Sequence, residues 1–182
     1  MSLLENEISK NEIANTQVTN NLVDKNQITK NQVKSRIMDQ KLHSLEDVKI
    51  LKLAKHTSLA VGTSQGTLIV AEEGKNIPYS CPRIFFVLDL EPGEIRGDHA
   101  HRYCSQILIC VRGEIEVKCT DGAQERIFVL NSPDQALLIP NSIWASQKYM
   151  TTESILLVLT DNHFDEKDYI RKFEDYKEFR KG

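Results

Sequence analysis

The chain has 182 residues, of which 40% are hydrophobic and 27% charged, and its formal net charge is -3. This composition predicts one globular domain plus a tail, and it excludes the strongly basic character of nucleic-acid-binding proteins. No apolar run approaches the ~18 residues of a membrane-spanning helix and no signal peptide is recognisable, so we expect no membrane partner and a cytoplasmic protein.

The N-terminal segment repeats every five residues. Its pentads are led by asparagine or threonine, at Asn6, Asn11, Thr16, Asn21, Asn26 and Asn31. Apolar residues at this period lie ~140° apart on a helix and on alternate faces of a strand, so neither element gathers them on one side. We therefore expect residues 1-45 to form a low-complexity extension, flexible or weakly structured, which leaves docking on the domain or on a partner subunit open. The folded domain is predicted to cover residues 46-182.

Short segments rich in Val, Ile, Leu and Phe follow, and turn-forming residues separate several of them. They cover residues 48–53, 67–71, 83–90, 105–111, 114–119, 125–130, 136–139, 144–149 and 154–160. Such regularly spaced short strands are typical of an antiparallel sandwich or barrel. The cysteines lack C-x-x-C spacing and most fall in or beside the strands, which predicts buried free thiols rather than disulfides or zinc ligands. They are Cys81, Cys104, Cys110 and Cys119.

Two histidines stand at i and i+2 on an extended segment, His99 and His101. Alternation along an extended chain points both imidazoles to one face, so both can enter one cavity. Together with Gly93, Gln106 and Gly113, they reproduce the spacing of the first cupin motif, except that Gln106 replaces its glutamate.

The second cupin motif is recognisable in residues 140–145, with Ser142 in place of the usual glycine and Ala145 in place of the last histidine. The two motifs narrow the expected fold class to all-β, a cupin-type double-stranded β-helix, also called a jelly-roll barrel.

A metal-binding cupin holds its ion with three histidines and the glutamate. The remaining imidazoles, His99 and His101, supply two nitrogens, which is fewer than the usual three or four protein ligands. We therefore expect no metal and no other cofactor. An imidazole titrates near pH ~6.5, so we interpret the two histidines as catalytic acid/base groups. The alternative is a vestigial pair in a non-catalytic barrel.

A C-terminal α-helix is predicted from Asp165 to Arg180, because acidic residues open it and complement the helix dipole. Tyr169, Phe173 and Tyr176 recur at helical spacing and would form an apolar stripe on it. We expect this stripe to pack across the barrel or onto a second subunit.

Five segments together resemble the sugar 3,4-ketoisomerases, which act on dTDP-4-keto-6-deoxy-D-glucose. In the family's order they are residues 83–89, 96–101, 130–134, 143–144 and 165–171. The resemblance spans about residues 48–176 and implies a cupin barrel, a homodimer with exchanged N-terminal strands, and catalysis without a metal. The chain departs from the family at Phe85, Phe86 and Leu88, where tyrosines are frequent, so no tyrosine role is carried over. It also has Arg102 for lysine and Ala145 for histidine.

The activity implied by this resemblance moves a ketone from C4 to C3 of the sugar. This reaction removes the proton at C3, passes through an enediol(ate) and returns a proton at C4, which one or two imidazoles can do without a redox cofactor. By resemblance, His99 is the base at C3 and His101 the partner that shuttles a proton to C4 or its oxygen. The dTDP-3-keto-6-deoxyhexose product would suit an aminotransferase, which predicts a route to a 3-amino-3,6-dideoxyhexose of a surface polysaccharide such as the O-antigen of lipopolysaccharide.

Five residues are candidates for substrate binding, each with a simpler alternative. Arg96 is suited to an enediolate oxygen or a diphosphate, or to a structural salt bridge. Arg102 can meet phosphate or lie solvated on the surface. Gln106 can hydrogen-bond the sugar, orient a histidine tautomer, or satisfy a buried backbone group. Trp144 offers a stacking face but fits the core equally well, and Tyr149 is a weaker candidate of the same type.

Other interpretations remain open. A nucleotide-sugar 3,5-epimerase would use a histidine and tyrosine pair, a dioxygenase-type cupin would need the missing metal ligands, and a non-catalytic sugar-binding cupin would bind without turnover. Asp168 and Arg171 lie in the last of the resembling segments, where we expect them to form an ion pair across the subunit rather than touch substrate.

Overall fold

The structure is a computed structural model that describes residues 42–57 and 66–181, so residues 1–41 of the predicted extension lie outside the described residues. Its strands are β1 Lys49–Lys52, β2 Ala54–Thr57, β3 Thr67–Val70, β4 Arg83–Val87, β5 Ile95–His101, β6 Gln106–Arg112, β7 Ile115–Thr120, β8 Glu125–Leu130, β9 Gln135–Ile139, β10 Trp144–Tyr149, β11 Ile155–Thr160 and β12 Tyr169–Ile170. The helices are α1 Phe173–Arg180 and two 3-10 helices, Leu45–Asp47 and Glu166–Asp168. Within the described ranges, no helix has the length and apolarity needed to cross a bilayer.

Two five-stranded antiparallel sheets make up most of the domain. The first has the strand order β1-β9-β6-β11-β4 and the second β12-β5-β10-β7-β8, while β2 and β3 form a separate hairpin. This is the two-sheet jelly-roll arrangement of a cupin. The predicted all-β class with a C-terminal helix is therefore confirmed, in the form of a sandwich of two separately hydrogen-bonded sheets.

Strand β6 carries a continuous apolar run, residues 107–111, rather than alternating apolar and polar residues. Leu108 and Cys110 lie in the core between the two sheets. Ile107 and Ile109 point to the opposite face, where Ile69 of the β2–β3 hairpin helps to cover them. Both faces of the strand are therefore buried, which favours a continuous apolar run.

The four cysteines are free thiols, as predicted. Three of them are buried and Cys81 is half-buried. Burial raises the pKa of the Cys119 thiol to about 12, so it stays protonated inside the core.

The C-terminal helix is shorter than predicted. A carboxylate oxygen of Asp165 accepts a hydrogen bond from the backbone N–H of Lys167 at 3.0 Å, and this cap closes a single 3-10 turn. The next two residues then form β12, which pairs with Ala100 and His101 of β5. The helix begins only at Phe173, because hydrogen bonds to the sheet edge replace the local helical ones.

This interruption divides the predicted aromatic stripe. Tyr169 lies on β12 and contacts the histidine rings of β5. Phe173 and Tyr176 instead surround Trp144, with ring centroids 5.1 and 5.4 Å from the indole.

Candidate active site

A cavity of about 140 Å³ lies between the two sheets. Strands β4, β6 and β11 line it from one sheet and strands β5, β10 and β12 from the other. Its polar lining consists of Arg83, Arg96, His99, Gln106, Gln147 and Tyr169. Ligand clefts usually have about 300 to 1,000 Å³. The enclosed space is therefore suited to one ring of a ligand, with the remainder of the ligand outside.

The two histidines lie on β5 and are placed by its pairing with β10. His99 is opposite Ala145 and Gly97 is opposite Ser146, so Asp98 is the extra residue of a β-bulge. Asp98 has a φ of 56°, in the left-handed region that short polar residues tolerate best after glycine. Beyond the bulge, regular alternation sends both imidazoles into the space between the sheets, as predicted from their i, i+2 spacing.

The imidazoles belong to a short hydrogen-bonded network. Their Nε2 atoms are 3.1 Å apart. Nδ1 of His101 is 2.6 Å from a carboxylate oxygen of Asp168, and the side-chain amide nitrogen of Gln106 is 3.0 Å from Nε2 of His101. The other carboxylate oxygen of Asp168 accepts the backbone N–H of Tyr103 at 2.8 Å. The His101 and Asp168 side chains are only 8% and 5% exposed, so this contact is shielded from water.

His99 lines the cavity, whereas His101 lies behind it in an adjoining narrow recess. Burial is the main reason that the pKa of His99 falls from 6.5 to about 4, and the neighbouring His101 lowers it further against a small opposing effect of the Gly97 carbonyl. His99 is therefore neutral at physiological pH. The ring of Tyr169 packs against both imidazoles, with centroids 4.9 and 4.4 Å away, and restricts their orientation.

The cupin frame suggests a metal, but the donor set does not fit one. Ala145 presents a methyl group beside His99 where a cupin has its last histidine ligand. Gln106 supplies a neutral amide in place of a carboxylate. The two imidazoles are the only strong donors of this set, which is fewer than the three or four protein ligands that hold a catalytic transition metal, and the neutral amide of Gln106 turns its nitrogen to His101.

A second set of possible ligands consists of His101, Cys104 and Asp168, whose donor atoms lie within 4.8 Å of one another. Burial and nearby carboxylates raise the pKa of the Cys104 thiol to about 12, so it is protonated and a weak ligand. The carboxylate of Asp168 is already hydrogen-bonded to His101 and to a backbone N–H. The close approach of His101 and Asp168 is therefore explained by a hydrogen bond that orients the imidazole, and a metal ion is not needed to explain it.

The predicted substrate-binding residues divide into two groups. Arg96 and Gln106 line the cavity together with His99. Trp144 does not line it: it is 5% exposed, packs against α1, and donates its indole N–H to Asp98 at 3.1 Å. Because adjacent residues of a strand face opposite sides, the inward position of Ala145 already places Trp144 on the outer face.

Tyr149 and Arg102 also lie away from the cavity lining. Tyr149 is fully buried in the core, which raises the pKa of its phenol well above the usual value, and its hydroxyl has no hydrogen-bond partner among the described residues. The guanidinium of Arg102 lies 5.3 Å from the ring centroid of Phe179 on α1.

Several cavity residues were not predicted from the sequence. Gln147 lies two positions after Ala145 on β10 and is buried beside His99, so strand alternation would have found it. Arg83 opens β4, and Tyr169 reaches the cavity from β12. Asp168 was expected to pair with Arg171, but Arg171 instead forms a two-point ion pair with Glu166, and Asp168 contacts His101.

Comparisons with known proteins find relatives over most of the domain. Residues 46–181 match the family model described as FdtA: WxcM-like, C-terminal. A TDP-4-oxo-6-deoxy-alpha-D-glucose-3,4-oxoisomerase from Aneurinibacillus thermoaerophilus is 34% identical over 116 residues, which are 64% of this chain and 84% of that protein.

Solved structures give the same result. A 3,4-ketoisomerase from Helicobacter canadensis superposes with a TM-score of 0.69 at 30% identity, covering 75% of this chain and 98% of its own. QdtA, a sugar 3,4-ketoisomerase from Thermoanaerobacterium thermosaccharolyticum solved in complex with TDP, gives a TM-score of 0.70 at 28% identity, covering 75% and 96%.

Proposed function

Because the chain belongs to the FdtA family, whose relatives include the sugar 3,4-ketoisomerases, we propose that it is an isomerase that converts dTDP-4-keto-6-deoxy-D-glucose to a dTDP-3-keto-6-deoxyhexose. The observation that carries this proposal is the pair of imidazoles, 3.1 Å apart, beside a cavity the size of one ring.

The reaction requires the movement of one proton between adjacent carbons. The base removes the proton at C3, an enediolate forms, and a proton returns at C4. His99 is the base at C3, because it lines the cavity and its lowered pKa keeps it unprotonated at neutral pH. His101 is the partner that shuttles the proton to C4 or its oxygen.

Two arginines are placed to bind the diphosphate of the substrate. Arg83 and Arg96 line the cavity from opposite sheets. Guanidinium groups bind phosphate oxygens with two parallel hydrogen bonds, and one of them can also stabilise the enediolate. Gln106 contacts the sugar or the imidazole of His101, to which it is already close.

We also propose that catalysis is independent of metal, since the donor set is too small for an ion and the imidazoles suffice for proton transfer. Proton NMR of dTDP-4-keto-6-deoxy-D-glucose, incubated with the protein and EDTA in deuterated water, tests both proposals. A 3-keto product with deuterium at C4 is expected, and its couplings give the configuration at C4. Turnover that stops with EDTA and returns with a divalent ion would contradict metal independence.

The same spectra distinguish the alternatives. Deuterium exchange at C3 and C5 without ketone transfer would indicate a 3,5-epimerase. An unchanged spectrum together with calorimetric binding of the substrate would indicate a non-catalytic sugar-binding cupin. His99→Asn is expected to abolish turnover, whereas His163→Asn, the same change at an exposed histidine outside the cavity lining, should retain it.

We propose a homodimer with exchanged N-terminal strands that forms along β4. This strand is an edge of the first sheet and presents Ile84 and Phe86 to solvent, and Leu88 directly after it is also exposed; the three are 47–57% exposed. An exposed apolar edge strand is a template for pairing with another chain. Phe86→Asp is expected to yield monomers in analytical ultracentrifugation, while Ile127→Asp, equally exposed on β8 at the edge of the second sheet, should not. Monomers in Ile127→Asp alone would assign the interface to β8 and contradict the proposal. A monomeric wild-type protein would exclude the dimer.

The product places the enzyme before an aminotransferase that acts on a 3-keto sugar. We therefore propose that it supplies a 3-amino-3,6-dideoxyhexose for a surface polysaccharide, and that it works in the cytoplasm. Feeding the NMR reaction product to a PLP-dependent sugar aminotransferase should yield the 3-amino sugar.

A further inference from the structure

The C-terminal segment brings one carboxylate to the rear of the histidine pair. Asp168 lies 67 residues from His101 in the chain, yet its carboxylate is 2.6 Å from Nδ1. The carboxylate is held in place, because Tyr103 donates its backbone N–H to the other oxygen at 2.8 Å and Asp168 directly precedes β12, which pairs with the edge of β5.

An ionised carboxylate only accepts hydrogen bonds, so the contact with Asp168 requires a proton on Nδ1 of His101. In the neutral imidazole the other nitrogen then carries a lone pair. That nitrogen, Nε2, faces the two groups that can donate to it, Nε2 of His99 at 3.1 Å and the amide of Gln106 at 3.0 Å.

We propose that Asp168 is a positioning residue, which holds His101 in the tautomer with the proton on Nδ1 and so makes Nε2 of His101 the resting place of the proton that is moved. This inference rests on the proposed isomerase function. The histidine pair then depends on Asp168, a residue that lies outside the two cupin motifs.

The proton balance of the reaction is then complete. The C3–H bond breaks, its electron pair forms the C3–C4 double bond of the enediolate, and the carbonyl electrons at C4 move to its oxygen. His99 takes the proton on Nδ1, which has no partner among the described residues, and passes the proton of its Nε2 to Nε2 of His101. The positive charge of the imidazolium is formed next to the carboxylate of Asp168, which stabilises it in a site with little water. The hydroxyl proton at O3 moves to the oxygen at C4, a proton delivered from Nε2 of His101 forms the new C4–H bond, and the ketone forms at C3, so no oxidant or reductant is needed. Because an imidazolium proton exchanges with solvent, C4 takes up deuterium in deuterated water.

The substitution Asp168→Asn tests this role with little change in shape. The amide oxygen is expected to keep the hydrogen bond from Tyr103, which turns the NH₂ group towards Nδ1 of His101. That nitrogen must then accept, so the proton moves to Nε2 and the imidazole is held in the wrong tautomer. In serine proteases the corresponding change lowers kcat about 10⁴-fold. Here we expect a loss of at least about 100-fold in kcat with KM within about threefold of the wild type.

Asp121→Asn is the matched control. Asp121 is also a buried aspartate that accepts backbone N–H groups, from Leu45, Ala123 and Gln124, but it contacts no histidine among the described residues. This variant should keep the wild-type kcat even if its Tm falls. A wild-type kcat in Asp168→Asn, or an equal loss in both variants, would overturn the proposal.

Nitrogen-15 NMR of histidine-labelled protein reads the tautomer of His101 in the wild-type protein itself. In the wild type, the His101 signals, assigned by their loss in His101→Gln, should show a protonated Nδ1 and an unprotonated Nε2. In Asp168→Asn the assignment should be reversed, with Nε2 of His101 protonated and Nδ1 unprotonated. A wild-type His101 that is protonated on Nε2 alone would refute the proposal. If instead no TDP-sugar is isomerised, the proposed function fails while this spectrum still decides the role of Asp168.

Discussion

The lowered pKa of His99 predicts that the protein loses stability as the pH falls below neutral. The pKa of this imidazole is about 4 in the folded protein and 6.5 as an unperturbed group, chiefly because burial disfavours its charged form. Between these two values the unfolded state binds more protons than the folded state. The free energy of unfolding therefore decreases as the pH is lowered through this window.

The size of the effect follows from the two pKa values. Between pH 7.5 and pH 5 the contribution of His99 amounts to a loss of about 2 kcal/mol, and below pH 4 it approaches about 3 kcal/mol. Domains of this size have about 5–15 kcal/mol of stability in total, so a change of this size is readily measured.

Urea unfolding at pH 7.5 and pH 5 measures this contribution by comparing variants. His99→Asn removes the imidazole, so its stability should fall by about 2 kcal/mol less than that of the wild type over the same interval. His163→Asn replaces an exposed histidine and should keep the wild-type dependence. Parallel pH dependences in the wild type and His99→Asn would refute the reasoning.

Two further predictions concern stability and are checked by thermal melts. Gly97→Ala should cost about 1–2 kcal/mol, because φ is 77° and the added Cβ would clash with the amide oxygen of Gln147. Gly66→Ala, whose added Cβ would meet no atom of the described residues within 4 Å, should be nearly neutral, and equal losses in the two variants would contradict the argument. Tyr149→Phe removes a buried hydroxyl without a partner among the described residues and should not destabilise the protein. Tyr176→Phe should lose about 1 kcal/mol, because the single hydroxyl proton of Tyr176 is shared between the backbone carbonyls of Thr120 and Ser142. A loss of stability in Tyr149→Phe that exceeds the loss in Tyr176→Phe would show that the Tyr149 hydroxyl does have a hydrogen-bond partner.

The reach of sequence reasoning differed between neighbouring residues of the site. The i, i+2 spacing of His99 and His101 correctly predicted that both imidazoles share one space, because alternation along a strand is a local property. The same rule, applied from Ala145, separates Trp144 from the cavity and brings Gln147 into it. The rule was therefore sufficient, but it needed a reference position to tell which face was inward.

The C-terminal segment shows where local patterns fail. Residues 165–180 have the acidic opening and aromatic spacing of one helix, yet the structure contains a 3-10 turn, the strand β12 and a helix that begins at Phe173. The edge of β5 offers hydrogen bonds to this segment that no local pattern records. Tertiary pairing therefore outweighs helix propensity here.

Local patterns were enough to predict the class of fold, the free thiols of the described domain and the position of the histidine pair, because strand alternation, turn residues and motif spacing all act over a few residues. The groups that surround that pair depend on tertiary contacts. The carboxylate of Asp168 meets His101 across 67 residues because β12 docks on β5. Such a contact depends on how distant strands are paired, which no short stretch of the chain encodes.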